Sequence, residues 1–230
     1  MTESAVYLQP AFILQHRPYR ESSVLLEAFT RDFGIVSMLA RGVRRERSKT
    51  AGVLQPFSLL QLSYLDKNEL KILTQAEYVA CYALQRLGLY CGFYVNELLQ
   101  RFLHRHDPHP SLFLRYQACL NALLDAERIE EALRYFELDL LQEAGYGIGL
   151  DVADGSMGRL RYEFDADAGL VEDLDGCVSG ATLRILAARQ PLSGEALPEA
   201  KQLMRKMLDA HLQGRPLKSR EVLARMIRYL

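Results

Sequence analysis

The sequence predicts an α+β protein: a five-stranded β-barrel, then an all-helical part carrying a small β-ribbon and loop insertion. Three observations carry this reading. Five short apolar runs, separated by turn signals, occupy about the first eighty residues. From about Tyr82 the apolar residues recur at helical spacing instead. The stretch 148–176 is acidic and loop-like, and it interrupts the helices.

The strands come first. Ala11 to Gln15 is a short run bounded by Pro10 and Pro18. Val24 to Phe29 and Ile35 to Ala40 flank Arg31-Asp32-Phe33-Gly34 and form a hairpin, with Gly34 free to take positive φ. Phe57 to Tyr64 and Leu70 to Thr74 flank the polar turn Asp66-Lys67-Asn68-Glu69 and form a second hairpin. Five strands this short suit a closed barrel, because closure removes exposed edges.

The helices follow. Leu84, Leu87, Cys91, Tyr94, Leu98 and Phe102 form the first stripe. Asp107-Pro108-His109-Pro110 ends it, and Ser111 caps a second helix running to about Ala126. Ile129, Leu133, Phe136 and Leu140 mark a third, stopped at Gly145. Arg161–Phe164 and Gly169–Val171 pair as the ribbon. Ser179–Ala188, Pro198–Leu212 and Ser219–Tyr229 read as three further helices. The expected domains are residues 1–80 and 81–230.

Composition narrows the function classes. The chain has 230 residues, 49% apolar and 25% charged, as an ordinary globular protein does. No apolar run reaches membrane-span length, and Met1-Thr2-Glu3-Ser4 lacks the design of a signal peptide, so a cytoplasmic location is expected. Cys81, Cys91, Cys119 and Cys177 form no CxxC pair and read as free thiols. There is no GxGxxG, Walker lysine loop, HExxH or GxSxG, so no enzyme class is indicated. His104, His106 and His109 cluster where a helix ends, and an exposed helix end explains them better than a metal does. The acids Asp165, Asp167, Glu172, Asp173 and Asp175 fail the calcium-loop pattern.

The charge pattern is more specific. Net charge is −1 overall, yet it is +2 over residues 1–81, −9 over 82–200 and +6 over 201–230. Ala40–Lys49 packs five basic residues and one acid into ten positions, between two strands. Arg17, Arg20, Arg41, Arg44, Arg45, Arg47, Lys49 and Lys71 all fall in the barrel. A barrel with cationic loops tracks a phosphate backbone with little sequence preference. Tyr19, Phe33, Phe57 and Tyr64 are candidates for stacking bases, although the core is the stronger assignment for each.

An ordered set of short motifs now bears on identity: Arg17-Pro18-Tyr19-Arg20-Glu21-Ser22-Ser23, Ala40-Arg41-Gly42-Val43-Arg44, Leu54-Gln55-Pro56-Phe57, Tyr94-Val95-Asn96-Glu97-Leu98-Leu99, Gly145-Tyr146-Gly147 and Pro216-Leu217-Lys218-Ser219-Arg220. Together they resemble the RecO family of bacterial DNA repair proteins across nearly the whole chain. The resemblance implies an OB-fold followed by a helical domain. It implies a recombination mediator, not an enzyme, acting at the bacterial nucleoid. Such a protein binds single- and double-stranded DNA, anneals complementary strands and works with RecR to load the RecA recombinase. It acts on DNA coated by single-stranded DNA-binding protein, whose acidic C-terminal tail it binds. Many family members also carry a four-cysteine zinc site after the Gly-Tyr-Gly region. Here residues 148–180 hold only Cys177, so a zinc-less member with no cofactor is expected.

On this reading Arg41–Lys49, Arg17, Arg20 and Lys71 form the DNA surface. The tail docks on the helical domain at Arg134, beside Leu133 and Phe136, with an Arg134–Glu130 pair at i, i+4 as the level alternative. Lys201, Arg205, Lys206, Lys218 and Arg220 extend the DNA path or support the tail site. The competing class is an adaptor that links the single-stranded DNA-binding protein to RecR without touching DNA.

Overall fold

A computed structural model describes residues 4–45, 49–66, 68–150 and 160–226. The chain divides into two compact units, Met1–Leu124 and Asp125–Leu230.

The first unit opens with strands β1 (Ser4–Tyr19), β2 (Ser23–Thr30) and β3 (Gly34–Ala40). Helix α1 (Lys49–Val53) and strands β4 (Ser58–Asp66) and β5 (Lys71–Cys81) follow. The five strands close into a barrel in the order β1-β2-β3-β5-β4. All neighbours are antiparallel except β3 and β5, which pair in parallel through Met38–Ala40 and Lys71–Leu73. This is the OB-like arrangement expected of the family. Alternate residues fill the interior: Ala11, Ile13, Leu26, Val36, Met38 and Leu62 are nearly or wholly inaccessible.

Phe12 and Phe29, paired across β1 and β2, point the other way. They meet helix α3 (Pro110–Ala122), with ring centroids of Phe12 and Tyr116 4.9 Å apart and of Phe29 and Phe113 5.5 Å apart. Helix α2 (Arg86–Phe102) adds Asn96, whose side-chain amide donates to the Leu14 carbonyl at 3.1 Å. The α2–α3 connection crosses the β2–β3 hairpin, where the His106 N–H donates to the Ile35 carbonyl at 3.2 Å.

The second unit holds α4 (Ile129–Glu143), the ribbon strands β6 (Arg161–Asp165) and β7 (Gly169–Glu172), and the short β8 (Val178–Ser179). Helices α5 (Gly180–Ala187), α6 (Ala196–His211) and α7 (Lys218–Met226) complete it. Glu199 of α6 ties the ribbon to the helices. It accepts from Arg161 at 2.9 Å, from the Ser179 N–H at 3.0 Å and from the hydroxyls of Ser179 and Thr182 at 2.7 and 2.5 Å. Burial alone would raise the pKa of Glu199, but these donors outweigh it and hold the carboxyl below its usual range.

Several boundaries differ from the sequence reading. Strand β1 runs through both prolines. Pro10 pairs only with β4 and Pro18 only with β2, so in each the missing N–H faces a side without a ladder. Strand β5 extends to Cys81, and α2 begins at Arg86. Pro110, not Ser111, starts α3, because a proline in the first turn forfeits no helical hydrogen bond. That helix ends at Ala122, short of Ala126. The predicted ribbon forms as expected, with Tyr162–Asp165 paired to Gly169–Glu172.

Candidate nucleic-acid interface

The outer face of the barrel is built by register. In antiparallel pairs, residues directly opposite share a face. Gln15, Glu27 and Ser37 therefore form one outward row across β1, β2 and β3, and Arg17, Leu25 and Leu39 form the next. Tyr19 and Ser23 close the series at the β1–β2 turn.

Two clusters result. At the turn, Arg20 is exposed with φ of 50°. Arg41, Arg44 and Arg45 follow β3 and are also exposed. Arg44 joins the two segments: its backbone N–H donates to the Ser22 carbonyl at 2.9 Å and its guanidinium to the Arg20 carbonyl at 3.2 Å. A concavity of about 790 Å³ lies between them, with Tyr19, Arg20, Arg41 and Arg45 in its lining. Further along, a second concavity of about 570 Å³ takes in Arg17, Glu27, Ser37, Glu69 and Arg105.

Arg105 is a residue that sequence reasoning missed. It reaches this face because the backbone bridges Ile35 and Arg105, and its guanidinium meets Glu27 at 2.5 Å. Its local signal was masked by the neighbouring histidines. His109 sits 3.3 Å from Asp107, while His104 and His106 are exposed. Among the described residues no group of three or more His, Cys, Asp or Glu is placed to hold a metal. Cys177 is buried, and that burial, with Glu163 nearby, pushes its thiol up. Residues 148–180 hold no other cysteine, so a four-cysteine set cannot be drawn from that stretch.

The proposed phosphate contacts differ in availability. Among the described residues, Arg17, Arg20, Arg41, Arg44 and Arg45 have no ion-pair partner. Lys71 stands apart: its side chain is only 12% exposed and meets Asp66 at 2.5 Å. Arg47 lies outside the described residues, as does the side chain of Lys49. Of the aromatic candidates, Phe57 and Tyr64 belong to the core, and burial, aided by Asp66, pushes the Tyr64 phenol up to about 12. Phe33 is exposed and Tyr19 half-buried.

The second unit has a different electrostatic character. Leu133 and Phe136 lie in its core. Arg134 is 5% exposed and bonds Glu137 at 2.6 Å, with Glu130 at 3.5 Å. The basic C-terminal residues meet acids: Lys201 meets Glu130 at 2.9 Å, Lys206 meets Glu163 at 2.5 Å, and Arg205 and Arg220 meet Asp209 at 3.7 and 2.5 Å. Lys218 is exposed at the start of α7. Four of the eight cations in the +6 segment thus meet carboxylates, two of them the same Asp209. The acidic loop is similarly self-contained. Asp165 accepts from the N–H groups of Ala168 and Asp167, which hold its carboxyl below the usual range.

Comparison with known proteins agrees with this architecture. Residues 1–82 match the family model described as Recombination protein O N terminal, and residues 84–159 match Recombination protein O C terminal. A DNA repair protein RecO of Methylococcus capsulatus is 44% identical over 226 residues, covering 95% of this chain and 93% of that protein. Its counterpart in Nitrosococcus oceani is 42% identical over 233 residues, covering 97% and 95%. That of Serratia proteamaculans is 42% identical over 229 residues, covering 95% and 93%.

Proposed function

The chain belongs to the RecO family of DNA repair proteins, with a role in recombinational repair, and on that premise we propose that its barrel binds DNA through the arginines around the β1–β2 turn. The observation that carries this reading is the contrast in pairing. Arg20, Arg41 and Arg45 are exposed and unpaired among the described residues, whereas Lys201, Arg205, Lys206 and Arg220 of the C-terminal segment each meet a carboxylate. Only uncompensated cations release counterions on meeting phosphate, so the first set supplies the binding energy.

The function that follows is strand annealing and mediation. Two strands approach slowly because their phosphates repel. A cationic surface screens that repulsion, and base pairing then supplies the free energy, with no group of the protein entering a covalent step. RecR, the RecA recombinase and DNA coated by single-stranded DNA-binding protein are the partners proposed for this activity. The barrel, residues 1–80, takes the DNA, and the helical residues 81–230 take the partners. Docking of an acidic tail at Arg134 requires its guanidinium to trade Glu130, a longer contact than Glu137, for the incoming terminal carboxylate.

The test is annealing of complementary oligonucleotides, bare and coated with single-stranded DNA-binding protein. Acceleration that fades as salt rises supports the reading. No acceleration of either, with retained binding to the tail peptide, returns the protein to the adaptor class.

A further inference from the structure

We propose that the concavity between the β1–β2 turn and the segment after β3 is a site for one unpaired nucleotide, with Tyr19 as the stacking surface and Arg41 and Arg45 as phosphate contacts. This deepens the DNA-binding reading and rests on it. The volume, about 790 Å³, is in the range of pockets that enclose small ligands. Tyr19 is the outward residue at the end of β1, opposite Ser23. The Arg20 guanidinium lies over its ring, 5.3 Å from the centroid. A ring face that accepts a planar cation also accepts a planar base. An incoming base takes that face, and the displaced Arg20 joins the adjoining phosphate. Glu21 is the one acid in the lining, and it is exposed to solvent at the turn.

The cradle is held in shape before any ligand arrives. Arg20 has φ of 50°, a left-handed conformation that a non-glycine residue keeps only when its surroundings enforce it. Arg44 supplies the enforcement through its two bonds to the carbonyls of Arg20 and Ser22. Arg44 is therefore a positioning residue, distinct in role from Arg41 and Arg45.

The consequence is discrimination between strands. Duplex bases are already stacked on one another, so a duplex engages the arginines but not Tyr19. Single-stranded DNA engages both. The experiment measures affinity for a short single-stranded oligonucleotide and for its duplex, across a salt series. Tyr19→Leu is expected to weaken single-strand binding roughly tenfold, leaving duplex affinity and both salt slopes unchanged. Tyr19→Phe keeps wild-type affinity. Arg45→Gln weakens both substrates and flattens both slopes. On the wild-type protein, a 2-aminopurine base in the oligonucleotide changes fluorescence on binding. Unchanged single-strand affinity in Tyr19→Leu, an equal loss on both substrates, or no 2-aminopurine response overturns the nucleotide site. In each of those cases salt-dependent wild-type binding leaves the broader DNA reading standing. Absence of wild-type binding to either DNA removes both.

Discussion

The side-chain amide of Asn96 donates to the carbonyl of Leu14, which belongs to the one residue of the β1 bulge with no cross-strand partner. Leu14 is buried at the register shift between Ile13 and Gln15, where a bulge disrupts the ladder, so the Asn96 amide serves a carbonyl out of reach of water. Asn96 in turn accepts from the Tyr116 hydroxyl at 2.6 Å, so α2, α3 and β1 share one buried polar chain. Asn96→Ala deprives both the Leu14 carbonyl and the Tyr116 hydroxyl of this partner. The expected loss is about 2–3 kcal/mol in urea unfolding, against about 1 kcal/mol for Tyr116→Phe, which leaves the Leu14 bond intact.

Gly34 is fixed by two requirements at once. Its φ is 63°, and a Cβ added there falls 2.1 Å from the Asp107 carbonyl oxygen. No flexible side chain can yield, because the obstacle is backbone. Gly34→Ala should therefore lose about 2 kcal/mol or more, read as a fall of roughly 4–8 °C in Tm.

The paired and unpaired cations predict different salt behaviour. Arg41→Gln and Arg45→Gln should each reduce the slope of log affinity against log salt by about 0.7 for single-stranded DNA. Lys71→Gln should leave that slope unchanged, because Lys71 is already neutralised by Asp66. Fluorescence anisotropy titrations at four salt concentrations distinguish the two groups.

Acid stability follows from Glu199. Its folded pKa is depressed, so its contribution is present above the unfolded value and is lost as pH falls through the folded one. Stability to urea should therefore decline as the solution is acidified below about pH 4.3, the ordinary glutamate value. Glu199→Gln should be less stable near neutrality and should flatten that acid limb.

Much of the fold was legible because its signals are local. Alternating apolar runs marked the barrel strands, and the switch to helical spacing marked the helices. Gly34 declared its turn, and Arg161–Phe164 and Gly169–Val171 declared the ribbon. The extent of β1 was not legible, because Pro10 and Pro18 stop a strand only where their missing N–H faces a partner. The site was legible in part. Ala40-Arg41-Gly42-Val43-Arg44 stood out by charge, yet the division of labour within it depends on what Arg44 touches across the turn. Arg105 was hidden because 78 residues separate it from Glu27. In the basic C-terminal segment the pairings of Lys201 with Glu130, 71 residues earlier, and of Lys206 with Glu163, 43 residues earlier, were not legible from charge along the chain. At Arg134 the pair with Glu130 was foreseen from the i, i+4 spacing. The closer bond to Glu137 was not.

The central claim is that the unpaired arginines at the β1–β2 turn supply the binding energy for DNA. The most direct measurement is the affinity of the intact protein for single-stranded DNA across a salt series, beside the variant carrying Arg20→Gln, Arg41→Gln and Arg45→Gln together. Three phosphate contacts predict that the triple substitution makes the slope shallower by about 2, with weakening on every sequence tested. A triple variant that keeps both the affinity and the slope of the unaltered protein would contradict the claim.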